Sequence, residues 1–268
     1  MKTLLVHGAN LATVDQGRGR PVLLVHAFPL DHSMWDAQVA ALALRWRVIA
    51  PDLRGFGESQ VSEGTVTMEQ FADDLAGLLD ELGIDEPVVF CGLSMGGYIG
   101  WQFYRKYASR VRAMILCDTR AVADTPEARA GRKDMIDRVL REGPEPVAQA
   151  MIPKLLAAST IASHPEMAAG VHRVIVSNDP QGIAAALRGM RDRPDATDLL
   201  SQIRCPCLVL VGKFDAISTL EEMRSIAAKI PDAKLVTIAG AGHLTPLEQP
   251  AQTTAAMEAF LIGLTGVG

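Results

Sequence analysis

The chain has 268 residues, 49% of them hydrophobic and 21% charged, which excludes a disordered tail or a fibrous repeat and supplies material for a sizeable core. Lys and Arg number 26 against 31 Asp and Glu, a net charge of −5 that argues against nucleic acid as a partner. The apolar run Leu4-Leu5-Val6 is too short for a signal peptide, and no stretch approaches the roughly 20 apolar residues of a membrane span, so a cytoplasmic protein without a membrane partner is expected.

In chain order, Thr3–Val6 and Asn10–Val14 flank Gly8 and precede Gly17-Arg18-Gly19, which predicts an early antiparallel pair. Short continuous apolar runs then recur at Val22–His26, Arg47–Ala50, Pro87–Gly92, Arg112–Cys117, Cys207–Val211 and Lys234–Ile238. Runs of that kind suit strands buried on both faces, and their alternation with helical stretches predicts an α/β fold with a mostly parallel sheet. Met68, Phe71, Leu75, Leu78, Leu79 and Leu82 repeat at helical spacing, with Thr67 and Gln70 as a capping box and Gly83 as the stop. Between Thr119 and Pro194 the strand signal vanishes. The starts Thr125-Pro126, Ser163-His164-Pro165-Glu166 and Asp179-Pro180 predict roughly four helices there. This block, residues 119–195, reads as a helical lid inserted into a core made of residues 1–118 and 196–268. Its Met135, Met151, Met167 and Met190 are candidates for lining an apolar pocket. Arg129, Arg132, Lys133, Arg138 and Arg141 interleave with Asp134, Asp137 and Glu142 as on a solvated helix face. Met257, Phe260, Leu261 and Leu264 close the chain with an amphipathic helix.

Gly92-Leu93-Ser94-Met95-Gly96-Gly97 follows a strong strand and opens a helix, the setting of a nucleophile elbow. The strained turn pushes the Ser94 hydroxyl outward, and the flanking glycines remove Cβ atoms that would collide with strand and helix. An alcohol needs a base and the base an orienting carboxylate. His243, in Gly240-Ala241-Gly242-His243 after the last strand, fits the base. Asp215, in Gly212-Lys213-Phe214-Asp215, fits the acid, and Asp118 at the end of the preceding strand is its rival. His26 reads as a structural histidine bonded to loop backbone, Asp52 as a tether of its own loop, and His7, His32, His164 and His172 as solvated. Cys91, Cys117, Cys205 and Cys207 read as buried structural thiols. No metal-ligand or phosphate-loop spacing is present, so neither metal nor cofactor is expected.

With these residues the chain resembles the α/β-hydrolase fold superfamily over essentially its whole length. His26-Ala27-Phe28-Pro29, Pro51-Asp52-Leu53-Arg54-Gly55-Phe56-Gly57-Glu58-Ser59 and Glu248-Gln249-Pro250 are further matches, with Ala27 where the family usually has glycine. Within the superfamily it looks most like small lidded esterases, perhydrolases and 3-oxoadipate enol-lactonases. That resemblance implies a twisted sheet with flanking helices, and an oxyanion hole formed by the backbone N–H groups of Phe28 and Met95. Residues and resemblance together lead to a serine hydrolase that cleaves small carboxylic esters through a Ser94-His243-Asp215 triad. The alternatives are a lactonase of the enol-lactonase type and a receptor-like ligand-binding protein with slow or no turnover.

Overall fold

The computed structural model describes residues 1–264. In chain order the elements are β1 (Lys2–Val6), β2 (Ala9–Gln16), β3 (Pro21–Val25), α1 (Asp36–Leu42), β4 (Arg47–Pro51), α2 (Met68–Glu81), β5 (Val88–Leu93), α3 (Met95–Tyr107) and β6 (Val111–Cys117). Five helices follow: α4 (Pro126–Glu142), α5 (Glu145–Leu155), α6 (Ala158–Ser163), α7 (Pro165–Ser177) and α8 (Pro180–Arg191). The chain then returns to the sheet with β7 (Cys207–Gly212), α9 (Leu220–Lys229), β8 (Ala233–Ile238), α10 (Thr245–Glu248) and α11 (Pro250–Gly263).

One eight-stranded sheet runs in the order β1-β2-β4-β3-β5-β6-β7-β8. β1 and β2 pair antiparallel, as do β2 and β4, and every later pairing is parallel. Every residue of β3, β5 and β7 is buried, as expected of strands covered on both faces, whereas the edge strands β1 and β8 carry exposed residues. Trp35, Trp101, Phe71, Phe90 and Phe103 are among the largest side chains that lose all contact with solvent.

Local signals were kept in part. Thr67 caps α2 by accepting the Gln70 N–H at 3.1 Å, and Gly83 follows the helix at φ 64°. Only that half of the predicted box forms. The complete capping box lies at α9, where Thr219 and Glu222 satisfy each other's backbone N–H groups. Thr125 and Asp179 cap α4 and α8 through their side chains as predicted. Ser163 does not cap α7: its hydroxyl donates to Ser159 O at 2.7 Å and closes α6. The predicted block of roughly four helices holds five, because α5 and α6 start after Pro144 and Ala157 without any side-chain cap. α4 presents mostly exposed charge, although Arg132 turns back onto Asp124. α11 buries Thr253, Met257 and Leu261 but leaves Ile262 47% exposed, so its apolar residues are not confined to one face. Of the four cysteines, all free, Cys205 is only half-buried.

Candidate active site

Four neighbouring parallel strands bring their C-terminal ends together. β5 runs into Ser94, β6 into Asp118, the turn after β7 holds Asp215, and the loop after β8 holds His243. The C-terminal edge of such a sheet is where open α/β proteins bind ligands.

Ser94 sits between β5 and α3 at φ 53° and ψ −110°, one of three non-glycine residues with a left-handed backbone among those described. That conformation costs on the order of 1–3 kcal/mol and persists only where the surroundings impose it. Here Ser94 N–H donates to Cys117 O at 3.0 Å, and Ser94 O accepts the Thr119 hydroxyl at 2.8 Å and the Gly97 N–H at 2.9 Å. A Cβ on Gly92 would run into the Gly96 carbonyl, and one on Gly96 into the Val25 carbonyl, so the turn closes only with glycine on both sides.

His243 is fully buried, and its Nδ1 lies 2.8 Å from Asp215 Oδ2. Asp215 Oδ1 accepts the N–H groups of Ile217 at 2.7 Å and Ser218 at 3.0 Å, which fixes the carboxylate plane. With Nδ1–H donating to Asp215, Nε2 keeps its lone pair, and this buried atom has no hydrogen-bond partner among the described residues.

Asp118 is packed beside this pair, one carboxylate oxygen of Asp118, one of Asp215 and one ring nitrogen of His243 all lying within 4.8 Å of one another. Its own contacts point elsewhere: Oδ1 accepts the Gly212 N–H and Oδ2 the Thr245 hydroxyl, each at 2.7 Å. Burial, followed by the neighbouring Asp215 charge, pushes the Asp118 carboxyl well above the usual carboxylate range. The structure therefore brings His243 onto Asp215 and leaves Asp118 bonded to β7 and the start of α10.

Phe28 and Met95 are both buried, Met95 as the first residue of α3, where helix geometry leaves its N–H unbonded within the helix. Ala27 does not adopt the left-handed backbone, and its N–H contacts Met34 Sδ at 3.2 Å.

A model of the alpha/beta hydrolase fold matches residues 20–250. The chain belongs to the α/β-hydrolase family. A thermophilic esterase from Thermogutta terrifontis, solved with malate bound, is 50% identical, with a TM-score of 0.96 and 98% of each chain covered. The enol-lactonase from Burkholderia xenovorans LB400 is 30% identical, with a TM-score of 0.91, covering 97% of this chain and 100% of its own. A 3-oxoadipate enol-lactonase from Acinetobacter baylyi is 27% identical over 252 residues, 94% of this chain and 92% of the relative.

Around the strand ends, this hydrolase carries a second buried polar cluster. His26 Nδ1–H donates to Ala27 O at 2.9 Å and Nε2 accepts the Leu53 N–H at 3.0 Å. Burial holds the His26 imidazole below its ordinary value. Asp52 tethers its loop by accepting the Glu58 N–H at 2.9 Å, and it also accepts the backbone and ring N–H groups of His32 at 2.9 and 2.6 Å. His32 is thus not solvated, and its bond to Asp52 outweighs burial and raises its pKa. For Asp52, burial works upward, but the bonds from His32 and Glu58 prevail and lower it. Arg54 holds Asp74 of α2 through two bonds of 2.7 Å.

Two buried residues escaped the sequence reading as parts of this region. Asn178, just after α7, accepts the Gly57 N–H at 2.9 Å and donates to Pro29 O and Val174 O at 3.0 Å. Glu248 enters from the sequence only through the Glu248-Gln249-Pro250 match, yet its carboxyl group accepts three hydrogen bonds. Neither role is fixed locally, since beside a near neighbour, Val174 or Gly242, each residue bonds partners far away in the chain, Pro29 and Gly57 for Asn178 and Ala157 and Thr160 for Glu248. An apolar cleft of about 360 Å³ opens between the loop after β3, α7 and α10, lined by Leu30, Met34, Met167, Val171, Val174 and Leu247 among others. Met167 is the one predicted pocket methionine on its wall. Met190 is buried, and Met135 and Met151 pack against the core.

Proposed function

We propose that this hydrolase cleaves small carboxylic esters by acyl transfer, with Ser94 as nucleophile, His243 as base and then acid, and Asp215 as the orienting carboxylate. The observation that carries the reading is the Asp215–His243 pair with Nε2 free, buried at the ends of β7 and β8, two and three strands along the sheet from a strained serine elbow after β5. Ser94 Oγ attacks the ester carbonyl carbon while Nε2 takes its proton, and the N–H groups of Phe28 and Met95 receive the developing oxyanion. Collapse expels the alcohol, protonated from Nε2, and leaves an acyl-enzyme. Water then attacks with the same base and restores Ser94.

The half-identical esterase supports a carboxylic ester as substrate. A lactone is the second reading, favoured by the likeness to the Burkholderia and Acinetobacter enol-lactonases, and the same steps open a ring as readily as they release an alcohol. Residues 119–195 serve in this reading as a lid over the strand ends, since Ser94 is only 8% exposed and His243 not at all. Four free thiols suit a reducing compartment, and we place the enzyme in the cytoplasm.

The test is hydrolysis of a chain-length series of p-nitrophenyl esters, with an enol-lactone beside it, by the wild type and Ser94→Ala. Sustained turnover that falls by about 10⁴-fold or more in the variant is expected. Full turnover by Ser94→Ala ends the proposal, and a single burst from the wild type points to a ligand-binding protein instead.

A further inference from the structure

Glu248, 7% exposed, meets only neutral donors. Its Oε1 accepts the Gly242 N–H at 2.8 Å, and its Oε2 accepts the Ala157 N–H at 2.8 Å and the Thr160 hydroxyl at 2.6 Å. Gly242 immediately precedes His243, whereas Ala157 and Thr160 lie at the junction of α5 and α6, in the segment between β6 and β7. The same two pieces of chain meet again nearby, where Leu155 O accepts the N–H groups of both His243 and Leu244 at 3.1 Å. Their approach is close enough that a Cβ on Gly242 would stand 2.6 Å from Ala157 N and 3.0 Å from Leu156 C.

We propose that Glu248 is a positioning residue for His243, tying the imidazole's backbone to residues 155–160 so that proton transfer at Nε2 depends on the inserted helices being seated. The inference rests on His243 acting as the base. Asp215 fixes one nitrogen of the ring, but a single hydrogen bond leaves the ring free to pivot about it. The backbone on either side of His243 supplies the remaining constraint. Gly242 N–H is held by Glu248, and the His243 and Leu244 N–H groups by Leu155. A displacement of about 1 Å at the reacting nitrogen is enough to cost about 10²-fold in rate.

Glu248→Gln preserves size but replaces one acceptor oxygen with an NH₂ group, which must then face a donor of Gly242 or Ala157. A buried donor is left unpaired whichever way the amide turns. The full-length Glu248→Gln protein should lose about 10²-fold in kcat for ester hydrolysis, with KM within about threefold of wild type. Its downfield proton resonance from His243 Nδ1–H should be displaced or broadened. Thr160→Val, which removes one of the two bonds to Oε2, should move kcat and the resonance in the same direction by less.

A folded Glu248→Gln protein with wild-type kcat and an unmoved resonance overturns the proposal. If Glu248→Gln does not fold, Thr160→Val decides, and an unchanged kcat and resonance there overturns it equally. Ser94→Ala, whose His243 loop is untouched, should keep the resonance while losing turnover. Turnover persisting in Ser94→Ala would defeat the acyl-transfer reading, while the resonance in Glu248→Gln still reports whether Glu248 holds His243.

Discussion

His26 and His243 are both fully buried, and both carry their proton on Nδ1, donated to an oxygen, yet they are equipped for different work. The second nitrogen of His26 is committed to Leu53 N–H, and the ring stitches one loop to another. The second nitrogen of His243 is committed to nothing among the described residues. Burial and tautomer therefore do not distinguish a histidine that stitches loops from the proton carrier we propose His243 to be. What distinguishes them is the partner of the remaining lone pair, and whether a carboxylate stands behind the ring to stabilise the charge that proton uptake creates.

The largest expected effect breaks this comparison directly. His243→Gln should lower kcat by about 10⁴-fold or more, because it removes the base we propose. His26→Asn should instead lower stability by about 2–4 kcal/mol through unpaired backbone groups, with kcat reduced by less than about tenfold. Steady-state kinetics and denaturant unfolding on both proteins would reveal a reversal, and equal kinetic losses from two folded variants would defeat the distinction.

The carboxylates allow a finer division. Asp215→Asn should cost about 10⁴-fold in kcat, since the amide favours the wrong imidazole tautomer. Asp118→Asn should cost less than about tenfold, because the bonds of Asp118 run to Gly212 and Thr245 and not to the ring. If the two losses came out in the opposite order, Asp118 would be the orienting acid.

The smallest effect concerns the loop cluster. The folded pKa of His32 lies above its ordinary 6.5, so the His32–Asp52 bond contributes fully below about pH 6.5 and fades as pH rises through the raised value. At the acid end, the lowered pKa of Asp52 carries the contribution below its ordinary 3.8 before it is lost. His32→Ala should therefore reduce Tm most between about pH 5 and 6.5, by about 2–4 °C for each of roughly 1–2 kcal/mol, and least at high pH. Melting curves across that range test the sign, and a deficit that grows toward alkaline pH contradicts it.

Much of this arrangement was legible because it is local. The buried strands, the cap at Thr67 and the elbow at Ser94 are patterns within a few residues of one another, and Asp215 and His243 each stand just after a strand end. α5 and α6 escaped because they start after Pro144 and Ala157, with no capping side chain to announce them. His32 read as solvated because its partner Asp52 belongs to a different loop. Glu248 and Asn178 carry no periodicity at all: besides one near neighbour each, Gly242 and Val174, they bond groups about 90 to 150 residues away, which only the folded chain brings together.

Asn178 has one more consequence. Its amide grips Pro29 O and Val174 O on one side and Gly57 N–H on the other, at the foot of the helix that walls the apolar cleft beside Leu30 and Met34. The bond to Val174 moves with α7, so a swing of that helix that widens the cleft must either break the bonds to Pro29 and Gly57 or drag the carbonyl next to Phe28 along with it. Widening the cleft and holding still the backbone beside Phe28, whose amide we propose as an oxyanion donor, are thus competing demands on a single side chain.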